Sequence, residues 1–386
     1  MSSYRCEWRG PIQATSGLGA ASRGYVRALR RHGVAVSTGI QRTGGLPKNQ
    51  ADSRTVLICH TQPHRVQVQK EKKRYARVIL NTVWETTRTP DSWKPNLNRF
   101  DAIFVPSRQN KEALRNSGVK VPIYIVPHGV NTGEYRPDHP KMHVPGAGGR
   151  FVFVSVFGFQ HRKNPEGLLR AYWEEFSERD QVLLIIKTNG YSPSENEAWI
   201  RSQINRYKQR LGISKRTAPV VVIGRHLSPG QLKGLYTLGN VFVLPTRGEG
   251  VGLPFLEAMA SGTPVMATGW GGHMDFLNRS NSFLVNYKLQ FPGVSMSGRH
   301  AISRRFRSLF ANSGQLWAEA DLRSLRLQMR TAFENPGLCR RKGLQARRDA
   351  SKLSWERSGA MMKRAIEQTL QQPGHQGLKR RSPPQS

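Results

Sequence analysis

The sequence predicts an α/β protein in which two doubly wound, Rossmann-like domains follow one another along the chain. Short apolar runs alternate with longer amphipathic stretches over the 386 residues, a pattern typical of βα units around a parallel sheet. The apolar runs fall into two sets of five, and residues 136–149 between them are rich in proline, glycine and histidine. The chain is long enough for each half to bury a core of its own.

Each predicted strand is a short run rich in β-branched and other apolar side chains. The first set comprises residues 34–38, 56–59, 77–80, 102–105 and 123–126, and the second comprises residues 151–156, 182–187, 220–223, 241–244 and 264–267. Ligands of doubly wound folds bind beyond the carboxyl ends of the strands and often between domains. The residues that follow these runs are therefore the candidates for a functional site.

The same runs predict the domain boundaries. We expect an N-terminal domain over 1–135, a linker over 136–149, a C-terminal domain over 150–340, a C-terminal helical segment over 341–370 and a tail over 371–386. Within the helical segment, residues 355–370 have the pattern of an amphipathic helix. The tail has almost no apolar residues and several prolines and glycines, which predicts a disordered basic segment.

The charge of the chain is its most unusual global property. Lys and Arg total 60 against 25 Asp and Glu, a net charge of +35 that attracts polyanions. The excess is spread along the whole chain, and no nucleic-acid-binding motif is visible, so specific nucleic-acid binding is disfavoured. Two explanations stay open, namely peripheral contact with an anionic membrane or acidic acceptor, and a background bias in composition.

The compartment is predicted from three features of the sequence. There is no apolar run of the ~20 residues that a membrane span needs, and the first ten residues are polar and charged, unlike a signal peptide. Three widely separated cysteines have no metal-ligand spacing and suit a reducing cytosol. We expect a cytoplasmic protein, with the inner membrane surface as the place of any peripheral contact.

The most informative stretch is residues 247–272, which reads RGEGVGLPFLEAMASGTPVMATGWGG. Its carboxylates Glu249 and Glu257 are eight residues apart, and a glycine turn between them opens a predicted helix over 254–261. A strand, a glycine turn and a helix N-terminus predict an anion site, because free N–H groups and the helix dipole both point at the ligand. The glycines allow the backbone to approach that ligand closely.

A second motif follows the strand at 151–156 and carries the cations Arg162 and Lys163, with His161 beside them. Asn164 and Pro165 then predict a helix start, with Asn164 as the N-cap and Pro165 at the first helical position. Cations at the point where a strand gives way to a helix suit a diphosphate, which Lys meets as a point charge and Arg with two hydrogen bonds.

Together these motifs are closely similar to the Glu-x7-Glu signature and the Arg-Lys loop of retaining glycosyltransferases of family 4, which have the GT-B fold. The resemblance implies two Rossmann-like domains facing each other across a cleft, with the C-terminal helix returning to the N-terminal domain. It also implies Glu249 and Lys163 as catalytic residues, Glu249 facing the donor hexose and Lys163 the diphosphate. Glu257 would bind the ribose. The other donor-binding residues implied are Arg162 and the backbone of Gly250, Val251, Gly252 and Leu253, with Gly17 and Gly19 in an N-terminal glycine loop.

Two positions depart from the family pattern. The arginine that many members carry about six residues before the lysine falls at Phe157, so that Arg162 or Arg225 would supply the missing cation. The histidine that many members carry at an N-terminal strand end falls at Trp84. On the acceptor side we therefore expect Glu85, with His60 and His128 as alternative residues lining the cleft.

The leading hypothesis is a hexosyltransferase that moves a sugar from a nucleotide-sugar donor to an acceptor hydroxyl with retention at the anomeric carbon. No Asp-x-Asp motif is present, so we expect metal-independent catalysis and no cofactor. The alternative is a non-catalytic anion- or nucleic-acid-binding protein on the same scaffold, which the charge favours and the Glu249 and Glu257 pair opposes. A sugar phosphorylase shares the fold, but it would usually need a cofactor-bearing lysine pocket and a longer chain.

Overall fold

The structure is a computed structural model that describes residues 4–39, 52–303 and 305–372. The chain divides into two compact units. The first unit comprises Met1–Trp84, Arg88–Gly129 and Leu353–Ser386, and the second comprises Glu85–Thr87 and Val130–Lys352. The predicted tail lies outside the described residues from residue 373 onward. None of the helices in the described ranges has the length and apolarity to cross a membrane.

Strands and helices alternate along the described residues. The strands are β1 (Arg5–Arg9), β2 (Ala35–Thr38), β3 (Asp52–His60), β4 (Tyr75–Asn81), β5 (Ala102–Val105), β6 (Ile123–Ile125), β7 (Phe151–Gly158), β8 (Val182–Asn189), β9 (Val220–Ile223), β10 (Val241–Leu244), β11 (Val265–Thr268), β12 (Ser282–Val285), β13 (Tyr287–Gln290) and β14 (Trp317–Ala320). The helices are α1 (Gly17–Arg31), α2 (Val68–Lys72), α3 (Lys94–Leu97), α4 (Arg108–Asn116), α5 (Pro165–Glu175), α6 (Glu197–Arg210), α7 (Pro229–Leu238), α8 (Leu253–Ala260), α9 (Pro292–Ser297), α10 (Leu322–Glu334), α11 (Pro336–Ala350) and α12 (Trp355–Gln371).

The first unit contains a parallel six-stranded sheet in the order β2-β1-β3-β4-β5-β6. Helix α1 packs closely on α12, where glycines replace larger side chains: a Cβ on Gly24 would lie 2.6 Å from Trp355, and one on Gly359 would lie 2.7 Å from Ala28. The core joins these two helices to the central strands through residues such as Trp8, Tyr25 and Ile366. The C-terminal helix is thus an integral part of this unit.

The second unit contains another parallel six-stranded sheet, in the order β12-β11-β10-β7-β8-β9. Strands β13 and β14 form a separate antiparallel pair, with Tyr287 opposite Ala320 and Gln290 opposite Trp317. Because β7 and β10 are neighbours in the centre of the large sheet, the loops that follow them emerge side by side at its carboxyl edge.

The fold class and the ten strands predicted from the apolar runs are confirmed, and so are helices α8 and α12. Each large sheet also has one strand that the two sets of five did not include, β1 in the first and β12 in the second. Strand β1 reads RCEWR, and its charged and apolar residues alternate because it buries only Cys6 and Trp8 in the core. Such a strand has no continuous apolar run to reveal it.

Candidate functional site

The site is built where the loops after β7 and β10 meet. A 3₁₀ turn at His161–Lys163 follows β7, and Asn164 then caps α5 by accepting a hydrogen bond from the Gly167 amide at 2.9 Å. The Asn164 side chain also donates to the carbonyl of Pro245, at the end of β10, at 2.9 Å. The predicted helix start is confirmed, and the same asparagine joins the two loops.

Lys163 and Glu249 form an ion pair in this loop junction. Both side chains are largely buried, with 13% of Lys163 and 7% of Glu249 exposed. Arg162 completes a cluster of two cations and two carboxylates, because its Nη1 lies 3.7 Å from the second oxygen of Glu249 and its Nη2 lies 3.2 Å from Glu85. The Arg162 guanidinium also donates to the carbonyl of Gly248.

The two carboxylates differ in their electrostatic surroundings. Burial alone would raise the pKa of Glu249, but Lys163 and Arg162 together lower it below its ordinary value. Burial raises the pKa of Glu85, and the attraction of Arg162 offsets that only in part. Glu249 is therefore held as a carboxylate, with its charge balanced by two cations.

The turn between Glu249 and α8 depends on glycine at two positions. Gly252 has φ of +81° and precedes the first residue of α8, a conformation that other residues adopt only at a cost. A Cβ on Gly248 would collide with the backbone of Glu85, so glycine permits that close approach. Among the described residues no side chain caps α8, and the binding of an anion by the backbone of Gly250, Val251, Gly252 and Leu253 stays a prediction.

Glu257, in the middle of α8, has tyrosine partners that the sequence analysis did not identify. The hydroxyl of Tyr236 donates to Glu257 Oε2 at 2.7 Å, and Tyr135 bonds the same carboxyl group. Burial raises the pKa of Glu257, while the two hydroxyls act in the opposite direction. The tyrosines orient this carboxyl group, and its contact with a ligand stays a prediction.

The structure places the two candidate cations that the sequence left open in different surroundings. Phe157 is buried in β7 with 5% of its surface exposed, and Arg162 lies in the cluster itself. Arg225 is exposed after β9, where its backbone bonds Glu197 and its charge acts on Lys187. Arg162 is therefore the second cation that contacts Glu249.

The remaining expected site residues belong to the first unit. Gly17 begins α1, and Gly19 lies in its first turn, where Ser16 accepts the Gly19 amide hydrogen bond at 3.3 Å. His60, at the end of β3, is bonded to Ser22 at 2.7 Å. Burial lowers the pKa of His60 to about 3 and that of His128 to about 4, so both imidazoles are neutral at physiological pH. Their role in binding stays a prediction, as does that of the two glycines.

The sequence analysis missed a second layer of charged residues behind the cluster. Arg247, Glu166 and Glu319 are joined by hydrogen bonds there, and Arg247 is only 5% exposed. Charged residues at the ends of apolar runs were the available signal, since Arg247 directly follows the buried VFVLPT segment. In the described ranges no three His, Cys, Asp or Glu side chains are grouped so as to hold a metal ion, and metal independence stays a prediction.

The elements that carry the candidate site lie in a part of the chain that resembles known proteins. Residues 148–289, which include β7, β10, α8 and both motifs, match the family model described as glycosyl transferases group 1. This part of the chain belongs to that family. It is 25% identical over 181 residues to alpha-monoglucosyldiacylglycerol synthase of Streptococcus pneumoniae, a match that covers 45% of this chain and 38% of that protein. Matches to such curated relatives span about half of their length or less.

Solved structures of this architecture resemble nearly the full length of the chain. Sucrose-phosphate synthase from Thermosynechococcus elongatus superposes with a TM-score of 0.67 at 18% identity, over 95% of this chain and 98% of that one. Anabaena Alr3699/HepE in complex with UDP and glucose superposes with a TM-score of 0.65 at 15% identity, over 95% and 100% of the two chains. The fold is that of GT-B proteins, with two parallel six-stranded α/β sheets.

Proposed function

We propose that this family member is a retaining glycosyltransferase that moves a hexose from a nucleotide-sugar donor to an acceptor hydroxyl. The observation that carries the proposal is the ion pair between Lys163 and Glu249, with Arg162 against the same carboxylate. These groups match the parts of a sugar diphosphate. The two cations and the N–H groups of the uncapped glycine turn suit the phosphates, and the carboxylate suits the sugar hydroxyls.

The chemistry follows from the charge that appears during transfer. The bond between the anomeric carbon and the diphosphate oxygen breaks, its electron pair leaves with the diphosphate, and the sugar passes through an oxocarbenium-like state. Lys163 and Arg162 would stabilise the growing negative charge, in a buried site where such stabilisation is larger than in water. Glu249 would hold the hexose hydroxyls and attract the positive charge of the sugar ring.

Glu257 is assigned to the ribose of the donor. A carboxylate accepts hydrogen bonds from two vicinal hydroxyls, and Tyr236 and Tyr135 orient the Glu257 carboxyl for that contact. Ribose takes no part in bond breaking, so this contact contributes to binding of the donor rather than to the chemical step.

A thermal-shift scan tests the proposal. UDP-glucose, UDP-N-acetylglucosamine, GDP-mannose and ADP-glucose are added in turn, and a donor bound by the native state raises the melting temperature by an amount that grows with its concentration. The control ligands are the free sugars and sodium pyrophosphate. A shift with pyrophosphate as large as with every nucleotide sugar would favour the non-catalytic anion-binding alternative.

We further propose that the acceptor side of the protein meets an anionic membrane surface. Helix α1 contains no Asp or Glu, and its exposed arginines Arg23, Arg27, Arg30 and Arg31 line a cavity of about 500 Å³ together with Ile12 and Val26. Guanidinium groups around an apolar floor suit phosphate headgroups with adjoining acyl chains. The name of the pneumococcal relative refers to a glucosylated diacylglycerol, which fits a lipid acceptor.

Vesicle sedimentation tests the membrane proposal. Binding to phosphatidylglycerol vesicles is expected to fall steeply with added salt, and Arg27→Gln with Arg31→Gln should weaken it. The control pair Arg340→Gln with Arg341→Gln removes the same charge from exposed positions on α11. Equal loss with both pairs, or equal binding to neutral vesicles, would contradict a specific role for α1.

A further inference from the structure

The buried residue Arg247 lies two positions before Glu249 and bonds three other residues near the cluster. Arg247 Nε donates to both oxygens of Glu319, at 2.8 and 2.9 Å. Its Nη1 donates to Glu166 at 3.2 Å and to the carbonyl of His161. The guanidinium carbon lies 5.8 Å from the centre of the Trp317 ring.

The backbone of Arg247 makes the same connections. Its amide donates to the carbonyl of Arg162 at 2.8 Å, and its carbonyl accepts from the amide of Ala318 at 2.8 Å. One residue thus joins the turn after β7, the turn after β10 and strand β14. The first two of these segments carry Lys163 and Glu249.

The two carboxylates bonded to Arg247 are themselves held in place. Glu166 accepts from His161 Nδ1 at 2.7 Å and from the amide of Ile302 at 2.9 Å. Glu319 accepts from Trp317 Nε1 at 2.9 Å. The guanidinium is therefore fixed on both sides, and neither turn can shift without breaking charged hydrogen bonds.

Leu316, the residue before strand β14, is bonded to the segment that carries Glu85, the second carboxylate of the cluster. The amide of Thr87 donates to the carbonyl of Leu316 at 2.9 Å, and the amide of Leu316 donates to Thr87 Oγ1 at 2.9 Å. Glu85, which meets Arg162, lies two residues before Thr87. Residues 316–319 thus support both carboxylates, Glu249 through Arg247 and Glu85 through Thr87.

We propose that Arg247 is a positioning residue for transfer: through Glu319 and Glu166 it sets the distance between Lys163 and Glu249, and so the placement of the diphosphate cation against the hexose carboxylate. This inference rests on the proposed function. A displacement of about 1 Å at reacting groups can cost about 100-fold in rate, so the network acts on turnover more than on donor binding.

The test compares two arginines with similar partners. Arg247→Lys keeps the charge, but its ammonium lacks the planar fork of a guanidinium. The lysine therefore cannot bond Glu319, Glu166 and the His161 carbonyl at the same time. The control is Arg330→Lys on α10, since Arg330 also bonds two carboxylates, Glu175 and Asp180, and stacks on Phe176 at 4.6 Å without contacting the cluster. The readouts are the melting temperature and the kcat and KM for release of nucleoside diphosphate from the nucleotide sugar that gives the largest thermal shift.

We expect Arg247→Lys to lower kcat by roughly 100-fold, with a smaller rise in donor KM. Arg330→Lys should keep kcat even if its melting temperature falls as much. A second pair, Glu319→Gln and Glu175→Gln, keeps the side-chain shape and covers the case in which Arg247→Lys does not fold. Glu319→Gln should lower kcat by about tenfold, the effect expected of weakening a charged hydrogen bond, and Glu175→Gln should not.

The outcomes separate the inference from the function on which it rests. If the wild-type protein releases nucleoside diphosphate and Arg247→Lys and Glu319→Gln retain its kcat, the positioning role is wrong and the proposed function stands. A rise in KM alone, with unchanged kcat, would also overturn the positioning role. A wild-type protein that releases nucleoside diphosphate from none of the four nucleotide sugars would overturn both.

Discussion

Removal of the Lys163 ammonium is the sharpest test of the site, because it separates a catalytic contact from a structural one. In the structure Lys163 pairs with Glu249, and both side chains are largely buried. With donor bound, the same ammonium is assigned to the diphosphate. Lys163→Ala should therefore change both the stability of the free protein and the rate of transfer.

The magnitudes follow from the surroundings of each group. Breaking a buried ion pair by removing one partner costs about 3–5 kcal/mol, since the other charge is left buried. Arg162 remains 3.7 Å from Glu249, so we expect a loss of unfolding free energy near the lower end of that range. For catalysis, losing one donor to developing negative charge costs roughly 2–4 kcal/mol, or about 30- to 1,000-fold in kcat.

The assay combines equilibrium unfolding in urea with kinetics of nucleoside diphosphate release from the donor that gives the largest thermal shift. The double variant Lys163→Ala with Glu249→Gln provides the internal control. It removes both charges of the pair, so it should recover much of the lost stability while turnover stays low. Recovered stability with low turnover would show that transfer needs the pair itself and not only the stability that the pair gives to the fold.

A normal kcat in Lys163→Ala would refute the assignment of this lysine to the diphosphate. A kcat that returns in the double variant together with stability would show that transfer needs neither charge of the pair. Either result would leave Arg162 as the cation to examine next.

Three further predictions concern neighbouring groups. Glu257→Gln should raise donor KM with little change in kcat, because the ribose hydroxyls are the same in the ground and transition states, and an unchanged donor KM would contradict the assignment. Turnover should be the same in EDTA, and a loss restored by Mg²⁺ or Mn²⁺ would contradict metal independence. Burial raises the pKa of Glu166, but the opposing effect of His161 and Arg247 is larger and lowers that pKa to about 2. Glu166 then stabilises the fold above its unfolded pKa and loses that contribution as pH falls toward 2, so Glu166→Gln should flatten the acid limb of a stability curve by roughly 3 kcal/mol.

The secondary structure was largely predictable from the sequence because its signals are local. A buried parallel strand appears as a continuous apolar run, as in β7 and β10, and ten such runs were found. The start of α5 was predictable because an N-cap asparagine followed by proline determines local geometry without reference to the rest of the chain. Strand β1 was not among these ten runs because alternating charges conceal its apolar face.

The members of the candidate site were predictable only in part. Glu249, Glu257 and Lys163 stand in motifs whose spacing is visible in the sequence. The tyrosine partners of Glu257 were not predictable, because Tyr236 is 21 residues away and reaches it through packing of α7 beside α8. Nor could spacing show that Glu85 would lie against Arg162.

The sequence by itself determined the alternation of strands and helices, the glycine turn before α8 and the chemical types of the residues at the strand ends. Only the tertiary structure decided which of them meet. The order of strands puts β10 beside β7, and this adjacency brings Glu249 to a lysine that is 86 positions earlier in the chain. The choice of Arg162 over Arg225 and the burial of Arg247 have the same cause. Contacts between distant segments depend on sheet order and packing, which no local pattern of residues encodes.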